Sequence, residues 1–143
     1  MSLANVLLVD DEVPFVETMT KRLNKRKVDI IAAHSGSEAL DLLKENSRIE
    51  VVILDVKMPG MDGIETLQEI KKRHPLMEVI MLTGHATVES GIDGMKMGAF
   101  DYLMKPCDMD VLISKVGEAA AKKRQHEEKI IEARVKEITS RRP

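Results

Sequence analysis

Aromatic side chains are almost missing from this chain, with no Trp, one Tyr and two Phe in 143 residues. A stacking platform for single-stranded nucleic acid needs several such rings, so the composition argues against that surface. Cysteine is equally scarce. Cys107 alone cannot form an internal disulfide, which points to a reducing compartment. No apolar run approaches the ~20 residues of a membrane-spanning helix. The first apolar run is short and lacks the basic flank of a secretory signal. A cytoplasmic location with no membrane partner is therefore expected. Neither sign of charge dominates, the net being −2. The distribution is uneven, however. Residues 1–121 carry 14 Lys and Arg against 20 Asp and Glu, whereas residues 122–143 carry 8 against 4. That shift places an expected boundary near residue 121.

Apolar residues make up 43% of the chain and include ten Met, so the core must be aliphatic and somewhat plastic. The central stretch is Val51-Val52-Ile53-Leu54-Asp55. Its apolar run reads as a strand buried on both faces and ends on a carboxylate, after which Pro59-Gly60 forces a turn. Four further runs have strand character: Asn5 to Val9, Val28 to Ala33, Val79 to Leu82 and Ala99 to Met104. Helical spacing follows each strand. The first helix runs from Pro14 to about Lys27, and the second opens at Ser35-Gly36-Ser37-Glu38. The third opens at Met61-Asp62-Gly63, the fourth spans Val88 to Met97, and the last starts near Asp108. Gly91 and Gly94 weaken the fourth by about 1 kcal/mol each relative to Ala. Five strands alternating with five helices imply a doubly wound α/β fold, a parallel sheet with helices on both faces.

Parallel strands bring their carboxyl ends to one edge, which is where open α/β sheets bind ligands. That edge collects Asp10, Asp11, Asp55, Thr83 and Lys105. Carboxylates suit a hard cation such as Mg²⁺, a lysine holds phosphate as a point charge, and a threonine hydroxyl can bond a phosphoryl oxygen. The constellation reads as phosphoryl transfer to a carboxylate, with Asp55 the nucleophile. Each residue has a plainer role open to it: Asp55 as a strand cap, Lys105 as a surface lysine, Thr83 as a helix cap, Tyr102 as core filler. Their joint placement at four strand ends favours the chemical reading.

Four motifs in order carry a family resemblance: Leu7-Leu8-Val9-Asp10-Asp11-Glu12, Val52 to Gly63, Met81-Leu82-Thr83-Gly84-His85, and Gly98 to Pro106. The sequence resembles the receiver domain of bacterial two-component response regulators over about residues 4–121. The resemblance implies a flavodoxin-like receiver fold with a C-terminal helical extension. It also implies that Asp55 accepts a phosphoryl group from a sensor histidine kinase. Mg²⁺ would be bound by Asp10, Asp11, Asp55 and the backbone carbonyl of Lys57. Lys105 would contact the phosphoryl group, Thr83 and Tyr102 would be the switch pair, and the Lys105–Pro106 bond would be cis. Cys107 stands where such regulators often have Phe, and an apolar environment is expected for it. Lys57 and His85 flank the expected phosphate and are assigned a role in tuning the lifetime of the acyl phosphate. The function implied is a phosphoacceptor switch with self-assisted phosphotransfer and autodephosphorylation, rather than a turnover enzyme.

Residues 122–143 read as a basic helical extension. Ile131, Val135 and Ile138 recur at 4-3 spacing over about one and a half heptads. A solvated linker and a homodimerising helix leading to an output domain both remain open, and an effector protein is the other expected reader of the switch. The tail is too short for a helix-turn-helix, so no direct nucleic-acid contact is expected. Two rival classes fit less well. An aspartyl-phosphate phosphatase wants two close carboxylates on one strand end, whereas Val56 and Lys57 follow Asp55. A flavodoxin-like electron carrier wants aromatics and a Ser/Thr-rich phosphate loop, which are missing.

Overall fold

The computed structural model describes residues 2–58, 60–84 and 87–140. The elements alternate as the hydrophobic pattern requires. They are β1 (Ala4–Val9), α1 (Val13–Lys25), β2 (Val28–Ala33), α2 (Gly36–Glu45), β3 (Val51–Leu54), α3 (Gly63–Arg73), β4 (Glu78–Thr83), α4 (Val88–Lys96), β5 (Asp101–Met104) and α5 (Met109–Ser140). The strands form one parallel sheet in the order β2-β1-β3-β4-β5. This is the doubly wound, flavodoxin-like arrangement expected from the sequence, with a long C-terminal helix.

Successive side chains on a strand point to opposite faces, so the three central strands feed two cores. Leu7 and Val9 of β1, Val52 and Leu54 of β3, and Val79 and Met81 of β4 pack with Leu40, Leu43, Leu67 and Ile70 of α2 and α3. Val6 and Leu8, Val51 and Ile53, and Ile80 and Leu82 pack with Val16, Leu23, Leu112 and Val116 of α1 and α5. Each fully buried Leu or Ile contributes about 1.5–3 kcal/mol. The apolar runs of β1, β3 and β4 thus have a partner layer on either side.

Helix starts follow side-chain chemistry. Ser35 Oγ accepts from the Glu38 N–H at 3.1 Å to cap α2, and Asp62 Oδ1 accepts from the Glu65 N–H at 2.9 Å to cap α3. Thr87 caps α4 in a reciprocal capping box with Ser90. Helix α1 stops at Lys25, two residues before the expected end. Lys27 then takes a left-handed conformation with φ 65°, which turns the chain into β2. Strand β5 begins at Asp101 rather than Ala99. The reason is that the Ala99 N–H bonds the Gly94 carbonyl at 3.0 Å and so still belongs to the end of α4. The last helix runs 32 residues without a break, about 48 Å.

Candidate functional site

The pairing register builds the site. Val9 lies beside Leu54 and Thr83 beside Met104. The next residues along β1 and β3, Asp10 and Asp55, therefore emerge side by side, and Lys105 follows β5 next to the end of β4. Backbone bonds hold these residues in place. The Asp55 N–H donates to the Val9 carbonyl at 3.0 Å, the Asp10 N–H to Ala33 at 3.0 Å, and the Lys105 N–H to Thr83 at 2.9 Å. Asp10 and Asp55 are 1% and 2% exposed, so both carboxyl groups stand at the floor of the site. Asp10, Asp11 and Asp55 each place a carboxylate oxygen so that all three oxygens lie within 4.8 Å of one another.

Among the described residues, one cation answers this cluster. Lys105 Nζ lies 2.6 Å from Asp10 Oδ2, 3.4 Å from Glu12 Oε1 and 3.9 Å from Asp55 Oδ2. It also sits 4.0 Å above the centre of the Phe15 ring, within range of a cation–π contact. Burial alone would lower the pKa of its ammonium. The hydrogen bond to Asp10 and the charges of Asp10, Asp55 and Glu12 outweigh burial and hold it above the ordinary lysine value. Burial pushes Asp10 up from the usual carboxylate range, against the pull of Lys105 and of the Glu12 N–H donating to Oδ1 at 2.9 Å. Asp55 Oδ1 is buried and carries no hydrogen bond among the described residues. A buried carboxylate oxygen without a donor is costly. Three hard oxygen donors around such an atom fit a small divalent cation of the Mg²⁺ type.

Asp10, Asp11, Asp55 and Lys105 come together at one edge of the sheet. Thr83 closes β4 and is fully buried. It does not cap α4, since Thr87 does that. Lys57 lies two residues beyond Asp55 with its side chain exposed. Tyr102 is half-buried on β5 against α4, and its hydroxyl lies 2.6 Å from Ser90 Oγ. The Lys105–Pro106 bond is cis. Cys107 is a partly buried free thiol packed beside the α1–α5 core, and burial raises its pKa. Pro59 and His85 lie outside the described residues. Sequence reasoning missed Phe15 beneath Lys105, His34, whose Nδ1 is 3.3 Å from the Asp10 carbonyl oxygen, and Ser90 beside Tyr102. Phe15 had a signal, since it is one of only two Phe in the chain and lies three residues after the acidic run.

Residues 6–117 match the family model described as the response regulator receiver domain. An NtrX-like response regulator of Rickettsia bellii is 41% identical over 115 residues, which are 79% of this chain and 24% of that protein. The DNA-binding transcriptional regulator NtrC of Klebsiella pneumoniae is 36% identical over 112 residues, 78% of this chain and 24% of that protein. The chain thus spans about a quarter of the length of these curated relatives. Among solved structures, a response regulator receiver domain protein from Clostridium thermocellum matches with a TM-score of 0.81 and 38% identity, covering 85% of this chain and 98% of that one.

Proposed function

Because the chain belongs to the response regulator receiver domain family, we propose that it is a phosphorylation-controlled switch whose phosphoacceptor is Asp55. The observation that carries this reading is the buried, unpaired Asp55 Oδ1, set beside two further carboxylates and 3.9 Å across from the Lys105 ammonium on Oδ2. A phosphohistidine on a sensor histidine kinase is the donor. A carboxylate oxygen of Asp55 forms the new P–O bond as the P–N bond breaks, and the imidazole leaves. Lys105 presents its positive charge to the phosphoryl oxygens. The Thr83 hydroxyl bonds one of them, and Tyr102 moves into the space that Thr83 leaves. Asp10, Asp11, Asp55 and the Lys57 carbonyl would hold Mg²⁺, which neutralises phosphoryl charge when bound. The transferred group biases an existing conformational equilibrium, so the chain acts as a switch that assists its own phosphorylation and hydrolysis rather than as a turnover enzyme.

On this reading residues 4–121 are the receiver unit and 122–143 a basic helical extension. An output domain or an effector protein reads the switch in the cytoplasm, and transcription is the output that the named relatives favour. No nucleic-acid or membrane contact by the chain itself is part of this reading. Ile131, Val135 and Ile138 are exposed at 4-3 spacing on α5, which supports homodimerisation through the tail. Sedimentation of the chain beside an Ile131→Glu, Val135→Glu variant checks this, and two identical monomers would refute it.

The deciding experiment is intact mass after incubation with Mg²⁺ and a small acyl phosphate. One phosphoryl addition is expected, lost in Asp55→Asn and lost without Mg²⁺. Addition that survives Asp55→Asn would move the acceptor elsewhere.

A further inference from the structure

Tyr102 does more than fill space beside α4. Its hydroxyl meets Ser90 Oγ at 2.6 Å, and Ser90 is itself the second half of the α4 capping box. The Thr87 N–H donates to Ser90 Oγ at 3.1 Å, the Ser90 N–H donates to Thr87 Oγ1 at 3.0 Å, and the Ser90 hydroxyl donates to the Thr87 carbonyl at 3.1 Å. A hydroxyl has one proton and two lone pairs. With the proton on the Thr87 carbonyl and one lone pair taken by the Thr87 N–H, a single lone pair remains on Ser90 Oγ. The phenol can donate into it across the 2.6 Å contact. The Thr87 hydroxyl, 3.0 Å away, competes for the same lone pair.

The ring is seated as well as tethered. A Cβ added at Gly91 would lie 3.8 Å from the Tyr102 ring, and one at Gly94 would lie 3.6 Å from it. The ring therefore rests over two glycine positions about one turn apart on α4. Those two glycines also make α4 intrinsically weak, so its first turn depends on the cap. One oxygen serves both the cap and the tyrosine.

We propose that Ser90 is a positioning residue that ties the Tyr102 rotamer to the N-terminal cap of α4, so that Tyr102 leaving its seat loosens the first turn of that helix. The tether stands on the contacts above, and its role in signalling rests on the reading of Tyr102 as a switch residue. A Ser90 that only caps α4 would give the same loss of helix in Ser90→Ala. Tyr102→Phe separates the two roles, because it removes the phenol oxygen and leaves every cap bond in place.

The test is residue-resolved amide hydrogen exchange across α4 in the full chain, for wild type, Ser90→Ala, Ser90→Thr and Tyr102→Phe. Exchange at Gly91 and Ile92 is expected to rise several-fold in both Ser90→Ala and Tyr102→Phe, and to stay near wild type in Ser90→Thr. Tyr102→Phe exchanging at the wild-type rate would overturn the proposal and leave Ser90 a cap. Tyr102 is the single Tyr in a chain without Trp, so a fluorotyrosine label reports on it alone. Its fluorine resonance is expected to shift in Ser90→Ala and to remain in place in Ser90→Thr; an unmoved resonance in Ser90→Ala likewise overturns the tether. Acyl phosphate with Mg²⁺ is then added to the labelled wild type. Movement toward the Ser90→Ala position is expected. A tether proven by exchange together with a resonance that ignores acyl phosphate would refute the switch role of Tyr102 while leaving the tether intact.

Discussion

Asp55 is held against its own charge. Three carboxylates share a small volume, Asp55 Oδ1 has no donor, and Lys105 makes its short bond to Asp10 instead. Like charges at this range repel one another. Removing one of them should therefore strengthen the fold. Asp55→Asn is expected to raise the unfolding free energy by about 1 kcal/mol in chelator, because the amide removes a charge and its N–H₂ can donate to the neighbouring carboxylates. Urea unfolding measures this, and Mg²⁺ should then stabilise wild type more than the variant. A less stable Asp55→Asn would mean that the repulsion is already relieved by water. The backbone at Asp55 is constrained just as tightly. A Cβ at Gly63 would fall 2.1 Å from the Asp55 carbonyl oxygen and 2.5 Å from Val56 Cα, so only glycine lets α3 start this close to Asp55. Gly63→Ala is expected to cost about 1–3 kcal/mol in the same assay. Gly84→Ala, which meets nothing within 4 Å, should stay within about 0.5 kcal/mol.

At the scale of elements, helix ends carry conformational strain that strand centres do not. Lys27 adopts φ 65° after α1 while its carbonyl accepts from the Leu3 N–H at 2.7 Å. A residue with a Cβ pays roughly 1–2 kcal/mol in that conformation, partly offset in glycine by chain entropy. Lys27→Gly is accordingly expected to raise stability by about 0.5–1 kcal/mol, read from the thermal or urea midpoint; a loss would show that the Lys27 side chain contributes packing. The same contrast explains which features were legible in the sequence. The centres of β1, β3 and β4 could be read because their apolar runs are buried on both faces, and a parallel sheet then had to gather Asp10, Asp55, Thr83 and Lys105 at one edge. Helix caps at Ser35 and Asp62 could be read from residue type. The ends of α1 and β5 could not, because they depend on which carbonyl takes the amides of Arg26, Lys27 and Ala99. Phe15 under Lys105 and Ser90 against Tyr102 depend on helix rotation and side-chain rotamer, which spacing along the chain does not specify.

For the whole molecule, the sheet has a second charged edge opposite the carboxylates, and α5 is fastened to it. Glu50 precedes β3 and Glu78 opens β4. Arg124 NH2 donates to Glu50 Oε1 at 2.9 Å while its Nε holds the other oxygen, and Lys122 Nζ lies 3.2 Å from Glu78 Oε2. Both cations lie beyond residue 117, where the family match ends. The first turn of the tail thus pairs with this edge of the sheet, and residues 127–140 beyond it are exposed. Burial alone would raise the pKa of Glu50. The Arg124 hydrogen bonds, the Asn5 N–H and the charges of Arg124 and Lys123 outweigh burial and hold it below the ordinary glutamate value. A carboxyl held low when folded binds protons less readily than it does in the unfolded chain. Its contribution to stability is therefore complete above the ordinary glutamate value and fades as pH falls through the lower folded value. Arg124→Ala is expected to lower stability by no more than about 1 kcal/mol at neutral pH, since the arginine is half exposed and screened by salt. The gap between variant and wild type should close as Glu50 becomes protonated, measured by urea unfolding over the acid range. A gap that stays constant with pH would assign the effect to the aliphatic stem of Arg124 packing on the sheet floor instead of its charge.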